Sequence, residues 1–112
     1  MFAGQHRLDN LNLIVDNNKI AMHGYTDDIV SMGSLRERLE SFGWDVAQVD
    51  GHNVTETQGA LLAMKEKRQQ RPKALIAHTI KGRGVPGLEN APLSHIILPK
   101  SEVIDALLAN QP

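Results

Sequence analysis

Cysteine is missing from this chain of 112 residues, and with it go disulfide frameworks, thiolate zinc sites and thiol nucleophiles. A cytoplasmic setting is the default for such a chain. Long apolar runs are missing too. None approaches the ~18 residues of a membrane span, and Met1-Phe2-Ala3-Gly4-Gln5-His6-Arg7 has neither the charged start nor the apolar core of a signal peptide. Neither sign of charge dominates: twelve basic residues face thirteen acidic ones, for a net charge of -1. No whole-chain field therefore argues for nucleic acid or an anionic membrane as partner. The five histidines stand at positions 6, 23, 52, 78 and 95, and no pair has the helical spacing of zinc enzymes. Internal repeats and low-complexity segments are absent as well.

What is present suits one small domain, since 41% apolar residues can bury a single core at this length. Leu11 to Asp16 is a nearly unbroken apolar run bounded by polar residues, the mark of a strand buried on both faces of a parallel sheet. Gly24 through Gly33 reads as a loop. Ser34-Leu35-Arg36-Glu37 is a capping box, and Leu35, Leu39 and Phe42 follow at helical spacing until Gly43 closes a short helix. Trp44 to Val49 is the next strand, with Trp44, Val46 and Gln48 on one face and Asp50-Gly51 as the turn.

A second helix is expected from Val54 to Gln70, capped by Asn53, with Leu61, Leu62 and Met64 on its apolar side and Arg71-Pro72 as its stop. Ala74 to His78 is a third buried strand. Glycines 82, 84 and 87 with prolines 86, 92 and 99 then break up roughly twenty residues of loop, a length that is uncommon without a task. A last helix starts after Pro99 with Ser101 as cap and turns Val103, Ile104, Leu107 and Leu108 inward. Alternating helices and buried strands imply an α/β fold, a parallel sheet flanked by helices with right-handed crossovers between neighbours. Three such strands leave the sheet incomplete, so further strands are expected from elsewhere. Met1 to His6 reads as the tail of a helix that packs Phe2 inward, which places the start of the chain in the middle of a domain.

Three segments carry chemistry. Asp16-Asn17-Asn18 follows a strand whose carboxyl end is where open α/β sheets hold phosphates and their cations. On propensity it reads first as a turn, and second as a source of oxygen ligands for a hard cation, Asn18 acting with the carbonyl of Ile20. Lys81-Gly82-Arg83-Gly84-Val85-Pro86-Gly87 contains a formal G-x-G-x-x-G, yet Pro86, Gly87 and Pro92 oppose the helix that a dinucleotide site needs. It remains either a phosphate-covering loop that presents Lys81 and Arg83 or a solvated basic loop. His95, in the apolar segment Pro92 to Pro99, is either a core histidine or a positioned donor. His52 reads as a turn residue, and His78 is open to both readings.

In combination, Leu8-Asp9-Asn10-Leu11, Val15-Asp16-Asn17-Asn18-Lys19-Ile20, His23-Gly24-Tyr25-Thr26-Asp27-Asp28, Phe42-Gly43-Trp44, Val49-Asp50-Gly51-His52 and His78-Thr79-Ile80-Lys81-Gly82-Arg83-Gly84 resemble transketolase. The likeness runs over nearly the whole chain and falls on the later part of the thiamine-diphosphate-binding domain, as in the N-terminal subunit of short or split transketolases. In that family a motif opening with Gly-Asp-Gly and ending in Asn holds magnesium or calcium. Asn18 matches its Asn and Ile20 its carbonyl donor, whereas the Gly-Asp-Gly has no counterpart in residues 1–112. Lys81 matches a lysine near the cofactor, and His95 a histidine that reaches toward the diphosphate and the reacting centre. Ser94 and Ile96-Ile97 depart from the family's aromatic residue and Gly-Lys around that histidine.

The resemblance implies transfer of a two-carbon ketol unit between sugar phosphates with thiamine diphosphate and Mg2+ or Ca2+. It also implies an oligomer in which one or more other chains supply the Gly-Asp-Gly half and the pyrimidine domain. His95 is the catalytic candidate, Lys81, His95 and Asn18 the cofactor-binding ones, and Asn18 and Ile20 the metal ligands. Because the glutamate that activates the cofactor has no match here, the isolated chain is expected to show no turnover. The alternative is a truncated, non-catalytic fragment or interaction module that keeps the fold and binds no cofactor.

Overall fold

The computed structural model describes residues 1–96 and 98–109. The chain divides into two compact units, one of Met1–Asn18 with Ser31–Thr79, the other of Lys19–Val30 with the chain from Ile80 onward. The first unit holds a three-stranded parallel sheet of β1 (Asn12–Asn17), β4 (Asp45–Asp50) and β5 (Lys73–His78), in the order β1-β5-β4. Register aligns the strands end to end, Asn12 and Asp45 opposite Lys73, Asn17 and Asp50 opposite His78. All three carboxyl ends therefore reach one edge of the sheet.

Strand β5 is buried from Lys73 to Ala77, as a continuous apolar run requires of a strand with neighbours on both sides. One face of the sheet packs Val49, Leu75 and Ala77 against Met64, with Ala47 and Ala60 at its margin. The other packs Val46, Ala74 and Ile76 with Leu13, Val15, Leu35, Leu39 and Trp44. Helix α4 (Val54–Glu66) supplies Met64 and Ala60 to the first face, and α3 (Leu35–Ser41) supplies Leu35 and Leu39 to the second. Both helices start as the sequence predicts: Ser34 accepts from the Glu37 amide at 3.2 Å and Asn53 from the Glu56 amide at 3.1 Å. Gly43, with φ of 83°, ends the turn after α3.

Several expectations change. Strand β1 alternates between exposed and half-buried residues instead of being covered on both faces: Leu13 and Val15 pack into the core, while Ile14, on the opposite face, joins neither core cluster and is 58% exposed. Since β5 lies between β1 and β4, β1 and β4 are not neighbours in the sheet although they follow one another among its strands along the chain, whereas β4 and β5 are neighbours in both. Helix α4 stops at Glu66, four residues early; Lys67 is already extended and its ammonium pairs with Asp45 at 2.6 Å. Of its apolar residues Met64 is buried, while Leu61 and Leu62 are exposed. The short α1 (Phe2–Gln5) leaves Phe2 exposed, its ring tilted at 42° to that of His6 with centroids 4.1 Å apart.

The second unit contains a two-stranded antiparallel pair, β2 (Ile20–Ala21) with β3 (Gly24–Tyr25), then α2 (Thr26–Ile29), a run of turns after Ile80 and α5 (Ser101–Ala109). The predicted Gly24–Gly33 loop thus includes a strand and a helical turn. Ser101 is the first helical residue of α5, and Val103, Ile104 and Leu108 are exposed instead of turned inward. No helix among the described residues is long and apolar enough to cross a membrane.

The central position of β5 predicts unequal costs along the sheet. Leu75→Ala, at a fully buried site, should lower unfolding free energy by about 2–5 kcal/mol, and Ile14→Ala by under about 1 kcal/mol. Urea denaturation of the two variants measures this; equal losses would contradict the assignment of β5 as the core strand.

Candidate functional site

In the first unit the carboxyl ends of the strands carry a continuous polar network. His78, at the end of β5, lies with Nε2 2.9 Å from Gln48 Oε1 and Nδ1 3.3 Å from Asn17 Nδ2. An amide oxygen only accepts and an amide nitrogen only donates, so these partners match a ring that donates from Nε2 and accepts at Nδ1. Beside it, Thr79 donates its hydroxyl to Asp16 Oδ1, and Asn18 Nδ2 donates to Asp16 Oδ2 at 3.4 Å. The sequence singled out Asp16, Asn18 and His78; it did not single out Gln48 or Thr79, and it gave Asn17 only a turn role. The signal for them was the shared register, which puts polar strand-end residues of three strands on one edge.

Gly51 shows how closely the backbone approaches there. A Cβ on it would lie 2.4 Å from the Thr79 methyl and 3.1 Å from Ala77 Cβ, so Asp50-Gly51 is a turn that only glycine fits without displacement. The Asp50 carboxylate accepts from the His52 amide at 2.9 Å, which bears out the turn role of His52.

In the second unit, Lys81 and His95 come together. The Lys81 ammonium donates to the Pro92 carbonyl at 2.8 Å and lies 2.9 Å from His95 Nδ1. Since an ammonium has no acceptor, Nδ1 must present its lone pair and Nε2 must carry the proton. His95 is exposed, so the result is an accessible N–H donor beside a half-buried cation, a pair suited to the oxygens of a phosphate group. Backbone bonds set the geometry: Asn90 N to Lys81 O at 2.9 Å, Ser94 N to Ala91 O at 3.2 Å and Ile96 N to Leu93 O at 3.0 Å. Glycines 82, 84 and 87 all have left-handed backbones, and a Cβ on Gly82 would meet the Leu88 carbonyl oxygen at 2.4 Å. The glycine run therefore makes a compact turn and opens no helix, as Pro86 and Pro92 predict. Arg83 is exposed and Ile97 lies outside the described residues.

Ile20 begins β2 opposite Tyr25. The preceding Lys19 has a left-handed backbone, φ 64°, which its carbonyl helps to hold by accepting from Thr26 N at 2.9 Å and Thr26 Oγ1 at 3.2 Å. Among the described residues no three His, Asp or Glu side chains are grouped to hold a metal ion. Amide and backbone carbonyl oxygens, such as those of Asn18 and Ile20, are the hard donors that Mg2+ or Ca2+ accepts, and are too few to complete a shell of about six ligands.

The first unit is thus a parallel α/β sheet with polar residues at its carboxyl ends, and the second carries a lysine–histidine pair in a glycine-rich turn. The chain belongs to the family described as transketolase, thiamine diphosphate binding domain, which matches residues 1–107. It is 37% identical over 109 residues to the 6-deoxy-6-sulfo-D-fructose transketolase subunit SqwG of Clostridium sp. (strain MSTE9), covering 97% of this chain and 39% of that protein. Identity to an apulose-4-phosphate transketolase subunit of Phocaeicola vulgatus is 33% over 102 residues, covering 91% of this chain and 36% of that one. The chain thus spans less than two fifths of these relatives. The fold aligns with transketolase from Campylobacter jejuni at a TM-score of 0.77 and 31% identity, over 96% of this chain and 17% of that one.

The Lys81–His95 contact predicts a tautomer. In the parent chain the nitrogen-15 spectrum should show His95 in the Nε2–H form, and Lys81→Met should give a mixture of both tautomers. An unchanged imidazole spectrum in Lys81→Met would rule out control by the lysine.

Proposed function

We propose that this chain is a component of a transketolase-like transferase that moves a two-carbon ketol unit between sugar phosphates. Thiamine diphosphate, when bound, supplies the carbanion chemistry of that transfer. The observation that carries the reading is the contact of 2.9 Å between Lys81 and His95, fourteen residues apart in a chain of this family. In this reading Lys81 offsets diphosphate charge, and the His95 Nε2–H donates to an oxygen of the cofactor or substrate. Asn18 contributes its amide oxygen to Mg2+ or Ca2+; its amide nitrogen faces Asp16, which directs the oxygen away from that carboxylate. Ile20 contributes a backbone carbonyl.

The Gly-Asp-Gly that opens the family's metal motif is not among residues 1–112. We assign residues 1–112 to the later part of the cofactor domain, with that motif and the pyrimidine domain supplied by other polypeptide. Subunit names among the relatives support a multichain assembly, and an oligomer in the cytoplasm completes the proposal.

Calorimetric titration with thiamine diphosphate and magnesium, after co-expression with candidate partner chains, tests it. Binding should require the partner and weaken about tenfold or more in Asn18→Ala, the scale of changes close to a metal site. Unchanged binding in Asn18→Ala would remove the metal role, and no binding with any partner would favour a non-catalytic fragment.

A further inference from the structure

At the amino end of the sheet, away from the strand ends that carry the polar network, the first unit has a second polar site. A depression of about 330 Å³ is lined by Gly4, Arg7, Gly43, Gln69, Gln70 and Arg71. Its lining includes two arginines, two glutamines and no acidic residue. Neither arginine has a carboxylate within ion-pair distance among the described residues. Two other cations of this stretch are engaged: Lys67 pairs with Asp45 at 2.6 Å, and Lys73 is buried with its ammonium on the Asp9 carbonyl.

The lining is also built. Arg7 Nη1 donates to Gln70 Oε1 at 3.2 Å, although the two residues are 63 positions apart. Both have left-handed backbones, φ 50° at Arg7 and 52° at Gln70, a conformation costly for residues with long side chains. The rim between them is bare backbone: a Cβ on Gly4 would fall 1.8 Å from the Phe42 carbonyl oxygen, so α1 and the Phe42-Gly43 turn meet main chain to main chain. Arg7 is thereby held in place with its remaining N–H donors uncommitted to any acid, and Arg71 borders the same space.

We propose that this depression binds a phosphate group, held by Arg7 and Arg71, as a site separate from Lys81 and His95. Paired guanidinium forks match the oxygen geometry of phosphate, and amide N–H groups of Gln69 and Gln70 offer further donors. The site stands independently of the thiamine diphosphate reading.

Inorganic phosphate is the probe, titrated into the full chain at constant ionic strength against sodium chloride while the arginine Nε–H resonances are followed. Saturable shifts at Arg7 and Arg71 are expected with phosphate alone, weakened about tenfold or more in Arg71→Gln and retained in Lys81→Met. Arg71 is exposed, so its replacement leaves the fold intact, and the melting profile checks this. Shifts that follow chloride equally, that persist in Arg71→Gln, or that vanish in Lys81→Met would each overturn the proposal.

Discussion

The first unit depends on a single constraint, the placement of β5 between two parallel neighbours. A strand bonded on both edges and covered on both faces has no solvent for its backbone groups, so every amide must find a partner in register. The amino end shows how tightly this is set: Asp45 N donates to Pro72 O at 2.9 Å and Lys73 N to Leu11 O at 3.0 Å. Lys73, 2% exposed, adds its ammonium to the Asp9 carbonyl. Burying a lysine is unfavourable unless its proton donors are satisfied, so this contact ties the Asp9–Leu11 segment to the start of the core strand. Once the amino ends are fixed, strands of equal length must finish together, and Asn17, Asp50 and His78 arrive on one edge. The polar network is a consequence of register.

Sequence and structure agree where a local interaction decides the outcome. Ser34 and Asn53 sit at helix starts because a short oxygen-bearing side chain satisfies an amide that no helix can reach. Gly43 and Gly51 mark turns because one needs a positive φ and the other has no room for a Cβ. The β5 run was legible because continuous burial leaves no polar alternation to read. Disagreement falls where tertiary placement decides. Helix α4 had propensity enough to continue to Gln70, yet Lys67 leaves the helix with its ammonium on Asp45, and Gln70 takes a left-handed backbone that leads into β5. Strand β1 has the same apolar pattern as β5, and nothing in its residues reveals that only one side would be paired.

The candidate site was legible to a similar depth. Single motifs left each polar segment open to a bland reading; their joint order identified the family, and with it Lys81 and His95. The hydrogen-bonding direction inside that pair is a matter of three-dimensional placement, because only the position of the ammonium shows which imidazole nitrogen accepts. Gln48 and Thr79 were invisible for another reason. Gln48 belongs to no motif and Thr79 has no chemical role within the one that contains it, and each gains its place in the network only from the side chain it meets, His78 for Gln48 and Asp16 for Thr79.

The residues flanking His95 depart from the family pattern, yet the histidine still meets Lys81. The reason lies in what holds the turn. Its bonds, Asn90 to Lys81, Ser94 to Ala91 and Ile96 to Leu93, are all main chain to main chain, and such bonds are indifferent to side-chain identity except at positions that need a glycine. Replacing a flanking aromatic by Ser94 and a flanking glycine by Ile96 therefore alters what surrounds the imidazole more than where it sits. Ile96 is 66% exposed, an apolar side chain next to an exposed N–H donor. A group that accepts from Nε2 would cover that side chain as it binds and gain from water leaving it.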